Sequence, residues 1–118
     1  MSERDRLRIL REARDLAWLS QTRLRSLLPF FDEVRVRAGE ELAVEGRFCH
    51  QFFIVVEGRL GTCRGGEPGI LAVGDGFGWE AMRQRACNEA SVSATCDARL
   101  LVMSHEQFRA ADALALSA

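Results

Sequence analysis

The sequence predicts a mainly β protein, a β-roll or barrel of short strands with helices at both ends and one short helix set between strands. Three observations predict it. Short apolar runs recur at roughly even spacing between glycine turns across residues 31–104, the pattern of an all-β roll whose edges are closed or covered. Apolar spacing of three and four residues is confined to residues 3–28 and 105–115, where helices are expected. The stretch WEAMRQR interrupts the strand series, and a purely structural barrel has no need of a helix there.

Each element has its own signal. In the first 28 residues Leu7, Leu10, Arg14 and Trp18 keep helical spacing, with Ile9, Ala13, Leu16 and Ala17 widening the stripe. Such a stripe docks a helix on its own domain; the charge-rich face also fits a helix that binds a partner. Ser20 reads as the N-cap of a second helix, QTRLRSLL, buried through Leu24, Leu27 and Leu28 and ended by Pro29. From Phe31 the period changes: Phe31, Val34 and Val36 read as a strand, with Arg35 and Arg37 on the face away from Val34 and Val36, until Ala38-Gly39. VEGRFCHQ is a turn region around Gly46. FFIVVEG reads as a buried strand ending at Gly58, RLGTCRGG as its return, and GILAVG as another strand after Pro68. SVSATCDARLLVMS gives two strands hinged at Asp97-Ala98. Ser104 and Gln107 form a capping box for a last helix over 105–115.

The 118 residues suffice for one domain, 1–118, with one core. A hydrophobic fraction of 47% with 28% charged residues is ordinary for a soluble globular chain, and a net charge of −1 creates no global pull toward nucleic acid or anionic lipid. All sixteen basic residues are Arg, so any oxyanion site would use one. The N-terminus MSERDRLRIL is charged rather than apolar, so no secretion signal is expected, and no apolar run approaches a membrane span. Cys49, Cys63, Cys87 and Cys96 lack metal-ligand spacing, and reduced, mostly buried thiols in a cytoplasmic protein are expected. His50 and His105 stand alone, Glu40-Glu41 and Asp32-Glu33 fall in exposed positions, and nothing forms a nucleophile–base pair. The expectation is a non-enzyme without a metal.

The glycine-dense loop GDGFG at 74–78 opens directly onto the interrupting helix, the usual arrangement for holding phosphate. It is not a Walker loop, since no Lys-Ser/Thr follows, and its spacing is not that of a dinucleotide loop.

In order along the chain, VRVRAGEELAVEG, FFIVVEGRLGTC and GDGFGWEAM…ASVSATCDARLLVMSHEQF resemble the cyclic nucleotide-binding domain family. That family includes the bacterial catabolite activator and the regulatory subunit of cyclic-AMP-dependent kinase. The first stretch matches the family's strand with its Ala-Gly and Glu-Gly turns, the second its hairpin. The third matches its phosphate-binding cassette, here 74–94, and the strands and helix that follow. The resemblance covers about residues 20–112. It implies a β-roll of the jelly-roll kind, a regulatory role, and a cyclic nucleotide (cyclic AMP or cyclic GMP) or another small anion as ligand.

Laid on the family's cassette, Phe77, Gly78, Ala81, Ala90, Val92 and Ala94 keep the scaffold, Met82 replaces Leu, and Ser91 keeps a hydroxyl. The two charged contacts that the resemblance implies are replaced. The ribose-binding Glu position is Trp79, with Glu80 one residue later and so turned about 100° around the helix. The phosphate-binding Arg position is Asn88, which forgoes a charge-assisted bond of roughly 1.5–3 kcal/mol. Glu89 stands where the family has Ala, and a carboxylate about 6 Å from a phosphate opposes it by a few kcal/mol at an effective dielectric of about 20. The backbone amides of Gly78 to Ala81 remain as anion donors. Arg85, nearer Asn88 in sequence than Arg83, is the candidate to replace the lost charge. Trp79 either fills the ligand cavity or stacks on a planar ligand.

Two functions follow. One is a small-ligand-sensing regulatory domain in which ordinary tight binding of cyclic AMP is disfavoured. The other is a ligand-free protein-interaction module that has kept the roll. After the last helix the chain leaves no room for a helix-turn-helix, so no DNA-reading element is expected. Self-association or partner docking through the terminal helices is left open.

Overall fold

Eight strands form two four-stranded antiparallel sheets that face each other as a roll, in a computed structural model that describes residues 1–113. The strands are β1 (Asp32–Val36), β2 (Glu41–Ala43), β3 (Gln51–Glu57), β4 (Leu60–Arg64), β5 (Glu67–Leu71), β6 (Gly76–Phe77), β7 (Ser91–Ala94) and β8 (Ala98–Ser104). One sheet runs β1-β8-β3-β6 and the other β2-β7-β4-β5. The helices are α1 (Glu3–Glu12), α2 (Gln21–Leu27), α3 (Trp79–Gln84) and α4 (His105–Ala111). The fold is therefore the mainly β roll with terminal helices and one inserted helix that the sequence implies.

The roll explains why FFIVVEG is apolar without a break. Phe53 and Val55 of β3 point into the roll, where they join Val36, Leu60, Val92, Ala94 and Leu100. Phe52 and Ile54 point outward, into a second cluster with Leu10, Leu16, Leu27, Met103 and Phe108 beneath the helices. Both faces of β3 are thus core, and each of these four side chains contributes about 1.5–3 kcal/mol by burial. β8 repeats the device, with Leu100 on the inner face and Leu101 and Met103 on the outer.

The N-terminal segment departs from one continuous stripe. α1 stops at Glu12, Ala13 is extended (φ −71°, ψ 128°), and Arg14–Leu16 form a 3-10 turn. In an unbroken helix Leu10 and Leu16 would lie about 120° apart around the axis; the break lets both reach zero exposure in one core. Trp18, placed in the stripe by periodicity, is instead 60% exposed, its Nε1 donating to the Asp15 carbonyl at 2.9 Å. α2 is capped by Ser20 as expected, and Pro29 sits in a 3-10 turn at Leu28–Phe30.

Two short strands, β2 and β6, were not legible as strands. β5 begins before Pro68 and ends at Leu71, because Ala72 to Asp75 close a turn through the Asp75 carboxylate and the Ala72 amide (2.8 Å). Proline is tolerated because β5 is an edge strand. The capping box at Ser104 and Gln107 is complete. The expected last helix runs through Ala111; positions 114 and 115 lie outside the described residues. Among the described residues no helix is long and apolar enough to cross a membrane.

Candidate functional site

α3 is positioned by the residue that caps its start. Gly78 has φ +101°, and a Cβ there would come within 2.5 Å of the Gln51 carbonyl oxygen, so glycine is required on both counts. The first helical bond is from the Met82 amide to the Gly78 carbonyl at 2.9 Å, which leaves the amides of Trp79, Glu80 and Ala81 pointing out of the helix end. Phe77, just before, stacks on Phe53 with ring centroids 5.4 Å apart.

Trp79 goes not into the roll but into the cluster beneath the helices. It is 3% exposed and packs edge-on against Phe52 (5.1 Å) and Phe108 (5.3 Å), between β3 and α4. Its Nε1 is buried without a hydrogen-bond partner. Ala81 and Met82 bury in the same cluster. Glu80 faces outward, accepting from Arg83 Nη1 at 3.1 Å and from Gln84 Nε2 at 3.3 Å.

At the N-terminal end of α3 lies a recess of about 220 Å³ bordered by Asp15, Gly76 to Ala81 and Glu89. Asp15 comes from the 3-10 turn far away in sequence, and nothing in the sequence marked it. Burial pushes its carboxyl above the ordinary value, and repulsion from Asp75 and Glu80 adds to this. Three carboxylates and no arginine border the amides that would receive a phosphate.

The remaining candidates do not border this recess. Asn88 Nδ2 donates to the Val44 carbonyl (3.1 Å) and its amide to the Arg47 carbonyl (2.7 Å), clamping the loop after β2. It borders a separate cavity of about 340 Å³ with Arg47, Phe48, His50 and Gln51. Ala90 is buried, and Ser91 Oγ accepts the Glu45 amide at 3.0 Å. Arg85 lies at the far end of α3, about 9 Å along the axis for six residues. It is the left-handed residue (φ 53°) of a Schellman turn, with the Ala86 amide on the Ala81 carbonyl at 2.8 Å and the Arg85 amide on Met82 at 3.4 Å. Arg109 of α4, not singled out from sequence, completes that end: its Nη2 donates to the Met82 carbonyl at 2.6 Å, and its guanidinium lies 5.1 Å from the Phe108 ring centre. The structure thus brings together Phe77 to Ala81 with Glu89 and Asp15, and separates them from Arg85, Asn88 and Ser91.

Of the cysteines only Cys49 is buried; the other three are exposed and all four are free, a correction to the mostly buried set expected. Burial pushes the Cys49 thiol up, and its Sγ donates to the Gln51 carbonyl at 3.4 Å. No group of three or more metal-ligating side chains is assembled among the described residues.

The family model described as "Cyclic nucleotide-binding domain" matches residues 33–112. Among solved structures, the regulatory domain of Toxoplasma gondii PKA with cAMP superposes with a TM-score of 0.81 at 25% identity, over 98% of this chain and 46% of that one. The cyclic nucleotide-binding-like protein from Brucella abortus superposes with a TM-score of 0.76 at 21% identity, over 91% of this chain and 97% of that one. cAMP-bound PfPKA-R gives a TM-score of 0.79 at 17% identity, over 93% and 39%. The chain therefore spans less than half of the two kinase regulatory structures. No curated protein sequence matches it.

Proposed function

Since the chain belongs to the cyclic nucleotide-binding domain family, we propose that it is a regulatory, non-catalytic module whose cassette does not seat a cyclic phosphate and which acts through protein contacts. One observation carries this reading: among the described residues the recess at the α3 amides is bordered by Asp15, Glu80 and Glu89 and by no basic residue, the one nearby ion pair being that of Arg83 with the outward-facing Glu80. The N-terminus of a helix favours an anion by about 0.3–1 kcal/mol. A single carboxylate about 6 Å away opposes a phosphate by on the order of 3 kcal/mol at an effective dielectric of about 20. At such a separation one carboxylate outweighs the helix end. The burial of Trp79 supports the same reading, because the residue at the cassette position that the resemblance assigns to ribose contact is spent on the core beneath the helices.

The test is calorimetric titration of cyclic AMP and of cyclic GMP into the full chain, with melting temperature followed in parallel. No saturable heat and no rise in Tm at millimolar nucleotide are expected, since a ligand that binds the native state must stabilise it. Saturable binding at micromolar concentration of either nucleotide overturns the reading.

A further inference from the structure

The module's charge is divided between its layers. Residues 1–28 hold seven arginines against four carboxylates, a net of +3, whereas residues 29–118 hold nine against thirteen, a net of −4. The excess is concentrated in a groove of about 580 Å³ between α1 and α2, lined by Arg4, Leu7, Arg8, Arg11, Gln21 and Arg25 with Glu3 at its rim. Arg4, Arg8 and Arg11 follow helical spacing along one face of α1, spanning about 10 Å, and Arg25 faces them from α2. The side chains of Arg4, Arg11 and Arg25 have neither ion-pair nor hydrogen-bond partners among the described residues, and that of Arg8 meets only Asp5 at 3.7 Å on the exposed surface. The opposite face of α1, through Leu10, is already spent on the core.

We propose that this groove binds an acidic segment of a partner protein, a short run of Asp or Glu side chains with an apolar residue among them. The proposal rests on the reading of the chain as a protein-contact module. The guanidinium fork takes carboxylates two bonds at a time, and four forks around one half-buried Leu7 match an acidic run with a hydrophobic residue set in it. A duplex nucleic acid needs phosphate contacts over a broader surface, and this groove offers one helix face about two turns long.

The test is calorimetric titration of a ten-residue peptide of alternating Glu and Leu into the full chain at 50 and 300 mM salt, in parallel with the cyclic nucleotide titrations. Saturable binding that weakens at least tenfold at the higher salt is expected. It should weaken at least tenfold again in the Arg4→Glu/Arg11→Glu variant, whose exposed positions leave the fold intact by circular dichroism. Arg25→Gln, a milder change on the facing helix, should weaken it severalfold. Peptide binding that is absent, or unchanged in these variants, overturns the groove proposal whatever the nucleotides do. So does tighter binding of duplex DNA or of phosphatidylserine vesicles, or a dimer in sedimentation that the arginine variants dissolve. Nucleotide binding with intact peptide binding instead removes the ligand-free reading and leaves the groove.

Discussion

The two ends of α3 are six residues apart and carry opposite chemistry. At the C-terminal end two carbonyls are answered: a Schellman turn closes on Ala81 and Met82, and Arg109 adds a charged donor to Met82. At the N-terminal end free amides meet carboxylates in a recess. The first end is built to hold the helix in place, and the second sets acidic side chains beside the amides of a helix start. The residues that place the helix, Gly78, Trp79 and Arg109, are thus different from the acidic residues that border its start.

The largest effect that can break this comparison is at Trp79. If Trp79 is a structural peg, Trp79→Ala costs about 3–5 kcal/mol in urea unfolding; a loss under 1 kcal/mol would return the residue to the ligand site. Next is Arg109→Met, which keeps the stem but removes the donor to Met82. Its expected cost is about 1.5–3 kcal/mol, the range for hydrogen bonds to charged groups, and no loss would mean that the Schellman turn holds the end alone. Arg85→Gly relieves a left-handed arginine and should stabilise by up to about 1 kcal/mol; destabilisation would reveal a contact made by its side chain.

The smallest effect, and the sharpest on the acidic end, concerns Asp15. Its carboxyl is raised above the ordinary 3.8 by burial and then by Asp75 and Glu80. A raised folded value means that protonation favours the fold. That contribution is fully present below 3.8 and is lost as pH rises through the raised value. Asp15→Asn should therefore be the more stable protein at neutral pH, with the difference closing as pH falls toward 3.8. Melting curves across that range check the sign, and an aspartate protein more stable at neutral pH would contradict it.

Much of the fold was legible because its signals are local. β3 reads as a buried strand from its unbroken apolar run, the Ser104 capping box from two residues, and α3 from helix formers after a glycine loop. β2 and β6 were not legible, since strands of three and two residues have no period to read and exist through their partners. The scaffold half of the site was equally visible, from Phe77 to Ala94. Its electrostatics were visible only in part: Glu89 stands in the cassette, but Asp15 arrives through a break in the N-terminal helix that only the core demands. The direction of Trp79 was likewise undecided, because a position on a short helix does not say which of two cores its side chain enters.

The chain has two tryptophans and no tyrosine, and the two indoles lie 6.5 Å apart, one buried and one exposed. Near-ultraviolet absorption and emission therefore arise almost wholly at the single junction where residues 13–19 meet the cassette helix. A shift of either element alters excitation exchange between the rings and the solvent around Trp18. The protein carries its own label-free optical gauge at the joint between the N-terminal layer and the cassette helix.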